Sequence, residues 1–366
     1  MQVKFIGIHL LITLTVIFLM AILLIILSTF FYLLYKRKRS KQRDDLQRLF
    51  YLLIGKVIFN ETVISEKGEN NKRIIIPRKF QKKLKKRYAR QVMKTVILDS
   101  KNNLTDAYGE NLKILYNQTG LKKDALRNLY FDSRWYLKAD AIQELSRMQQ
   151  ADCLHHIYRY VNHKNRYVRM EAESAMINLW GFRGLRFLNF IAYPISEWQQ
   201  IKLLRQLAHF KYEEFKGIEK WLRSSNDSVV IFALKLVRVY HRFELYDAVK
   251  EVLLHPCADV RKNCIITLRN IYREDTALLL IKNYDQEGRD CKLAILDAMS
   301  EAGTEDVIPF LMEEIEHGDD EYKLKAANAI MVVKRGEGLQ LLKSQPFAGS
   351  FPWNEIIVQL KGEEAG

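Results

Sequence analysis

The sequence predicts an all-α protein: one transmembrane helix followed by an α-solenoid of stacked helical hairpins. Three observations predict it. The chain opens on a long uncharged apolar run. Only six prolines and sixteen glycines occur in 366 residues, which leaves room for helices and argues against turn-rich β structure. Beyond residue 120, aliphatic columns recur at a spacing of thirty-one residues. A hydrophobic content of 48% is enough for a large buried core.

The first element is the apolar run. From Phe5 to Tyr35 there is no Asp, Glu, Lys or Arg. At about 1.5 Å per residue, a helix of this length exceeds the roughly 30 Å of a bilayer's hydrocarbon core. A cleaved secretory signal is the rival reading, but its apolar part is shorter, and this run ends in Tyr32, Tyr35 and cations rather than small residues. Lys4 is the only basic residue before the run, whereas Lys36, Arg37, Lys38, Arg39, Lys41 and Arg43 follow it. The positive-inside rule then puts the N-terminus outside and the bulk of the chain in the cytoplasm, at an inner membrane. Four cysteines, none in a C-x-x-C pair, suit a reducing compartment. Residues 1–35 are read as the anchor.

The second element, 36–95, is a basic juxtamembrane segment. Residues 46–58 carry a helical apolar stripe and read as a packed or surface-lying helix. Residues 71–94 hold eleven Lys/Arg and no acid, with Phe80, Leu84, Tyr88, Val92 and Val96 at intervals of four. A basic amphipathic helix is expected from about Arg78. Residues 1–94 contain 21 of the 58 Lys/Arg and 5 of the 43 Asp/Glu, so the whole basic excess of +15 lies beside the membrane. Anionic lipid headgroups are the expected contact of Lys36, Arg37, Lys38, Arg39, Lys82, Lys83, Lys85, Lys86 and Arg87. A solvated face that binds nothing, or a nucleic-acid surface at 71–94, are the alternatives.

The third element, 96–366, carries the repeat. Val168, Val229, Val260 and Cys291 are anchors of one column. Four residues on stand Ala141, Ala172, Leu203, Ala233, Cys264, Ile295 and Ala326, and eight on stand Leu145, Met176, Leu207, Val237, Leu268, Met299 and Ile330. These trace one buried helical stripe. Eleven residues before each anchor an aliphatic recurs, from Leu126 to Leu311, marking a second helix. Asn165, Asp227, Asp259 and Asp319 lie in the turns between, where such residues cap helices. Residues 78–118 are expected to close one end of the array, and Trp353 and Ile357 the other.

The stretches "NRYVRMEAESAM", "NDSVVIFALKLV", "ADVRKNCIITL" and "GDDEYKLKAANAI" resemble the HEAT-repeat family in its short bacterial form. The resemblance runs from Leu121 to about Leu360 and implies an armadillo-like superhelix whose curved surface binds proteins. It departs from the pattern around Pro194 and Gln199.

Chemistry is sparse. The position after the anchor is basic at Lys138, Arg169, Arg261, Lys292 and Lys323, which reads first as an inter-repeat polar ladder and second as a partner-binding strip. Trp180, Phe182, Phe187, Phe190, Tyr193 and Trp198 crowd the irregular repeat, as packing or as an exposed patch, with Trp198 the partner-binding candidate. Cys153, His155, His156 and His163 form no clean metal tetrad, and no phosphate loop or Ser-His-Asp pattern stands out. The expectation is a non-enzymatic scaffold without cofactor or small-molecule substrate, holding a membrane-associated protein such as an envelope or polysaccharide assembly factor. The alternatives are a lyase-like modifying enzyme and a membrane-tethered nucleic-acid binder.

Overall fold

The computed structural model describes residues 2–59, 63–65, 72–102, 106–210, 217–335, 337–346, 351, 353 and 355–358. They form two compact units, Met1–Cys153 and Leu154–Gly366.

In the first unit, α1 (Gln2–Ile58) is a single helix with two characters. Large apolar side chains from Ile8 to Tyr35 are exposed, and the helix is long and apolar enough to cross a membrane. The hydroxyls of Thr13, Thr15 and Thr29 donate back to carbonyls three or four residues earlier, which spares these polar groups in an apolar medium. The last turns reverse the pattern: Phe50, Leu53, Ile54 and Val57 are at most 2% exposed. They pack with α3 (Arg87–Asn102) and α4 (Asp106–Gln118), so the 46–58 stripe belongs to a folded core. The side-chain amide of Asn111 on α4 donates to Val57 O at 3.3 Å. The expected boundaries after 35 and 95 fall inside α1 and α3.

Two expectations are corrected here. The chain is mostly helical rather than wholly so: β1 (Val63–Ser65) pairs antiparallel with β2 (Lys72–Ile74). Ile74 is buried, and its N–H donates to Gln118 Oε1 at 3.2 Å, so β-branched residues here pin a short hairpin to α4. The single basic helix expected from Arg78 is two, α2 (Arg78–Leu84) and α3, with the break at Lys85 and Lys86. An unbroken helix would align Lys82 with Lys86 and Lys83 with Arg87 as repelling pairs. The break also lets Phe80 approach Phe50, ring centroids 6.4 Å apart, while Ala89, Val92 and Met93 face the same core.

The hairpin of α5 (Leu121–Phe131) and α6 (Trp135–Arg147) completes this unit, packed against α4 and α3. Its first helix buries Leu121, Ala125 and Leu129, while Leu126, of the column read from the sequence, is half-buried. Gly120, at φ 73°, turns α5 sharply out of α4 and shifts its face by one residue.

The second unit is a stack of helical hairpins. Helices α7 (Leu154–Tyr158) and α8 (Arg166–Trp180) make the first. A 3-10 run over Gly181–Asn189 leads to α9 (Glu197–Leu207). Then α10 (Ile218–Leu222) precedes α11 (Asp227–Val239), and α12 (Tyr246–Glu251) precedes α13 (Ala258–Asn270). Next come α14 (Thr276–Asn283) with α15 (Arg289–Ala302), and α16 (Ile308–His317) with α17 (Asp320–Val333). Helix α18 (Gly338–Lys343) packs on α17. The second helices lie side by side, α11 on α13, α13 on α15 and α15 on α17.

Burial explains the stack. Val168, Val229, Val260 and Cys291 are at most 1% exposed, as are Ala172, Leu203, Ala233, Cys264, Ile295 and Ala326. The first helices contribute Ile157, Val249, Leu280 and Leu311, all 0% exposed. No hairpin could bury these faces alone; each covers its neighbour. Trp353 and Ile357 are also buried, while 347–350 and 359–366 lie outside the described residues. Asn165, Ser196 and Asn226 are N-caps that accept helical N–H groups; Asp227 and Asp259 sit one and two residues into the helices, where carboxylates favour the helix dipole.

The irregular repeat has a local cause. Gly181 takes φ 59° at the end of α8, and a Cβ on Gly184 would lie 2.3 Å from Met176 O. The chain therefore lies flat against α8 as a 3-10 run instead of standing off as a helix.

Candidate functional site

A groove of about 980 Å³ runs across α9, α11 and α13. Spacing puts its residues on one face of each helix: Asp227, Ile231 and Lys235 on α11, and Asp259, Asn263 and Ile266 on α13. Ile195, Ile231 and Ile266 supply the apolar wall, and Glu197 approaches Lys235 at 3.5 Å. Lys262 turns to Asp290 at 2.8 Å. Asp227, which also approaches His255, and Asp259 are the other acidic residues of the lining.

Cys257 lines the groove, and His255, two residues before it, has partners on both imidazole nitrogens. Nδ1 accepts the Cys257 N–H at 3.2 Å, so Nε2 carries the proton and lies 3.9 Å from Asp227 Oδ1. This arrangement fixes the turn. Cys257 itself lines the groove and is half-buried, whereas Cys264 is fully buried, which pushes its thiol pKa well above the ordinary value.

The ladder cations are held within the chain. Arg169 Nη1 donates to His163 O and Lys164 O at 2.8 and 3.0 Å, and its guanidinium lies 3.9 Å from the Tyr193 ring. Arg261 Nη1 donates to His255 O and Pro256 O, and the rest of its guanidinium pairs with Glu287 at 2.8 Å. Lys138 donates to Leu129 O at 2.8 Å. Lys292 lies 4.7 Å from the Tyr284 ring, and Lys323 4.0 Å from Asp320. Where the ladder has glutamine, Gln200 Nε2 donates to Ile195 O and Ser228 O. The aromatics divide: Phe182 and Phe187 are core, while Phe190 and Trp198 are more than 60% exposed.

The lipid-facing candidates Lys36, Arg37, Lys38 and Arg39 are all exposed on α1, and Lys82, Lys85, Lys86 and Arg87 are exposed around the α2–α3 break, with Lys83 half-buried. The cations farther along α3 are different. Arg90 pairs with Asp124 at 2.5 Å, and Lys94 with Asp140 at 2.6 Å and Glu144 at 3.3 Å.

Two buried carboxyls were invisible in the sequence, because glutamate on a helix reads as surface. Glu144 accepts from Tyr116 O–H at 2.9 Å; burial pushes its pKa up to about 7, against the pull of Lys94 and of that hydroxyl. Burial lowers the Lys94 ammonium, but Glu144 and Asp140 together more than offset it. Glu173 on α8 is pushed up to about 8 by burial, with Arg169 acting the other way. Gln199 lies within hydrogen-bond reach of it, and among the described residues Ser174 Oγ and the Oε1 atoms of Gln199, Gln200 and Gln206 are buried without partners. Gln199 Nε2 donates to Met170 O at 3.2 Å and Gln206 Nε2 to Asn178 Oδ1 at 3.1 Å. The signal in the sequence was Gln199 in an aliphatic column. Among the described residues, no three His, Cys, Asp or Glu side chains come together to hold a metal ion.

No family model matches the chain, and no curated protein matches it. Among solved structures, it is similar to human deoxyhypusine hydroxylase in complex with glycerol, at 14% identity and a TM-score of 0.28, over 79% of this chain and 96% of that one. It is also similar to the complex of CpcE and CpcF of phycocyanin lyase from Nostoc sp. PCC7120, at 11% identity and a TM-score of 0.26, over 82% and 98%. Likenesses this distant transfer no activity. They do correct the expectation that excluded an enzyme, because both structures bear the names of enzymes. By its own packing the chain has a HEAT/armadillo-like helical-repeat fold, preceded by one apolar helix long enough to span a membrane.

Proposed function

We propose that this chain is a membrane-anchored helical-repeat protein whose groove across α9, α11 and α13 binds an extended segment of a partner protein at the cytoplasmic face of a bacterial inner membrane. The groove carries the reading. Its isoleucine wall suits an aliphatic side chain, and Asp227 and Asp259 suit a lysine or arginine beside it. The thirty-one-residue spacing supports a site built from equivalent positions on successive helices. The cation distribution around the apolar run supports the cytoplasmic orientation. Placing a photo-reactive amino acid at Ile231 or Asn263 in intact membranes is expected to trap one reproducible protein, and D227N/D259N to diminish it. Equal cross-linking from Tyr272, which is exposed and does not line the groove, would remove the groove's claim.

A second reading, a lyase-like modifying activity in the same groove, is favoured by Cys257 lying among Asp227, Asp259, Lys235 and Lys262. It predicts that the trapped partner carries a mass change that disappears in C257S. An unmodified partner mass excludes it.

A further inference from the structure

The cations of the first unit fall into two classes, and the division follows distance from the apolar stretch. Arg90, Lys94 and Lys122, deep in the unit, each meet a carboxylate. Lys36, Arg39 and Arg43 on α1, with Lys82, Lys83 and Lys86 around the α2–α3 break, have no acid within ion-pair distance among the described residues. The uncompensated set gathers at the end of the apolar run.

It gathers around built concavities. One, of about 580 Å³, lies between α1 and α3 and is lined by Tyr35, Lys36, Arg39, Arg43, Tyr88 and Gln91, with no acidic residue in its wall. Arg39 is positioned there: its guanidinium lies 5.8 Å from the Tyr35 ring and 5.3 Å from the Tyr88 ring, and Nη1 donates to Tyr35 O–H at 3.1 Å. A guanidinium placed against two rings keeps its remaining N–H groups for an anion that offers two oxygens, such as a phosphate. The neighbouring concavity, about 480 Å³, brings Lys82, Lys83 and Lys86 beside Gln42, Asp45 and Leu46. Because α1 runs unbroken, these lysines sit alongside positions about 9–15 Å beyond Lys36 at about 1.5 Å per residue. That is close to the roughly 8–10 Å over which a charged surface acts in physiological salt.

We infer that the Tyr35–Arg39–Tyr88 concavity binds the phosphate of an anionic phospholipid headgroup, with Lys36 and Arg43 as its flanking cations and Lys82, Lys83 and Lys86 as a second, longer-range layer. The inference rests on the anchor part of the proposed function and is independent of the groove. The tyrosine rings suit the headgroup level, where an apolar body and a polar tip are both satisfied. Tyr88 also donates to Arg39 O at 3.5 Å, which ties α3 to α1 at this height.

The test uses the full chain reconstituted in phosphatidylcholine bilayers containing either spin-labelled phosphatidylglycerol or spin-labelled phosphatidylcholine. The motionally restricted fraction of each label gives the selectivity. The wild type is expected to select the anionic lipid several-fold, R39Q to lose about five-fold of that preference, and R39K to retain most of it. K82Q/K83Q/K86Q is expected to reduce it further and to weaken its salt dependence. Inorganic phosphate at millimolar concentration is expected not to displace the lipid; displacement would make free phosphate the ligand and overturn the headgroup assignment. Equal restriction of both labels in a chain that resists alkaline extraction overturns the headgroup site alone. Extraction from the bilayer overturns the anchor reading with it. Tight binding of single-stranded RNA by the same lysines, without lipid selectivity, would assign the surface to nucleic acid instead.

Discussion

Arg169 and Arg261 hold the same pair of carbonyls in two different hairpins: each Nη1 donates at 2.8 Å to the sixth residue before it and at 3.0 Å to the fifth. The acceptor at six is a histidine in both cases, His163 and His255, and each Nδ1 accepts the N–H two residues on. The surroundings differ. Arg261 also neutralises Glu287, whose side chain is 7% exposed, whereas Arg169 packs on Tyr193. R261A should therefore cost about 2–4 kcal/mol, because it strands a buried carboxylate, and R169A about 1 kcal/mol. Thermal unfolding of the two variants in detergent should rank them in that order.

Glu173 predicts a pH dependence. Its pKa is raised above the ordinary carboxylate value to about 8, so the folded state binds this proton more tightly than the unfolded chain. Its contribution is fully present below about pH 4.5 and is lost as pH rises through about 8. E173Q should flatten the melting temperature against pH between these limits and be more stable than wild type at the alkaline end.

Tyr116 is fully buried with its hydroxyl on Glu144. Y116F leaves that carboxyl one donor short in a site already costly to charge. The expected loss is about 1–3 kcal/mol. Above pH 7 the loss should grow, which melting at two pH values would show.

Two glycine substitutions should have opposite signs. G184A sets a Cβ against Met176 O, at 2.3 Å, and should destabilise the second unit by more than 2 kcal/mol or so. Gly55 lies inside α1 with nothing within 4 Å of an added Cβ, so G55A should stabilise by about 0.5–1 kcal/mol. Proteolytic susceptibility of each unit would read the two effects separately.

The thiols should separate by environment. Cys153, Cys264 and Cys291 are at most 1% exposed, and burial raises the Cys291 thiol to about 12, while Cys257 is half-buried in the groove lining. Alkylation of the native chain followed by peptide mass mapping should label Cys257 well before the other three.

The helical columns of the second unit were legible because a stripe such as Val260, Cys264 and Leu268 is repeated in side chains whose only role is burial. The long apolar stretch of α1 was legible because the absence of charge from Phe5 to Tyr35 is a property of composition. What escaped depended on contacts between distant segments. The strand pair is set by Ile74 meeting Gln118, the break at Lys85 by charge repulsion and by Phe80 reaching Phe50, and the burial of Glu144 by Tyr116 and Lys94. The groove drew residues from three helices, and no single stretch announced it. Asn226 rather than Asp227 capped α11, a one-residue matter that only backbone geometry decides.

The unbroken course of α1 makes the first unit a lever. The same rigid rod that presents Leu23 and Phe30 to its surroundings also supplies Phe50 and Val57 to a folded core, with no hinge between them. A long apolar helix adjusts to bilayer thickness by tilting. In the anchored reading proposed above, each degree of tilt would swing the attached core by the same degree, so membrane thickness would set the angle at which that core stands above the lipid.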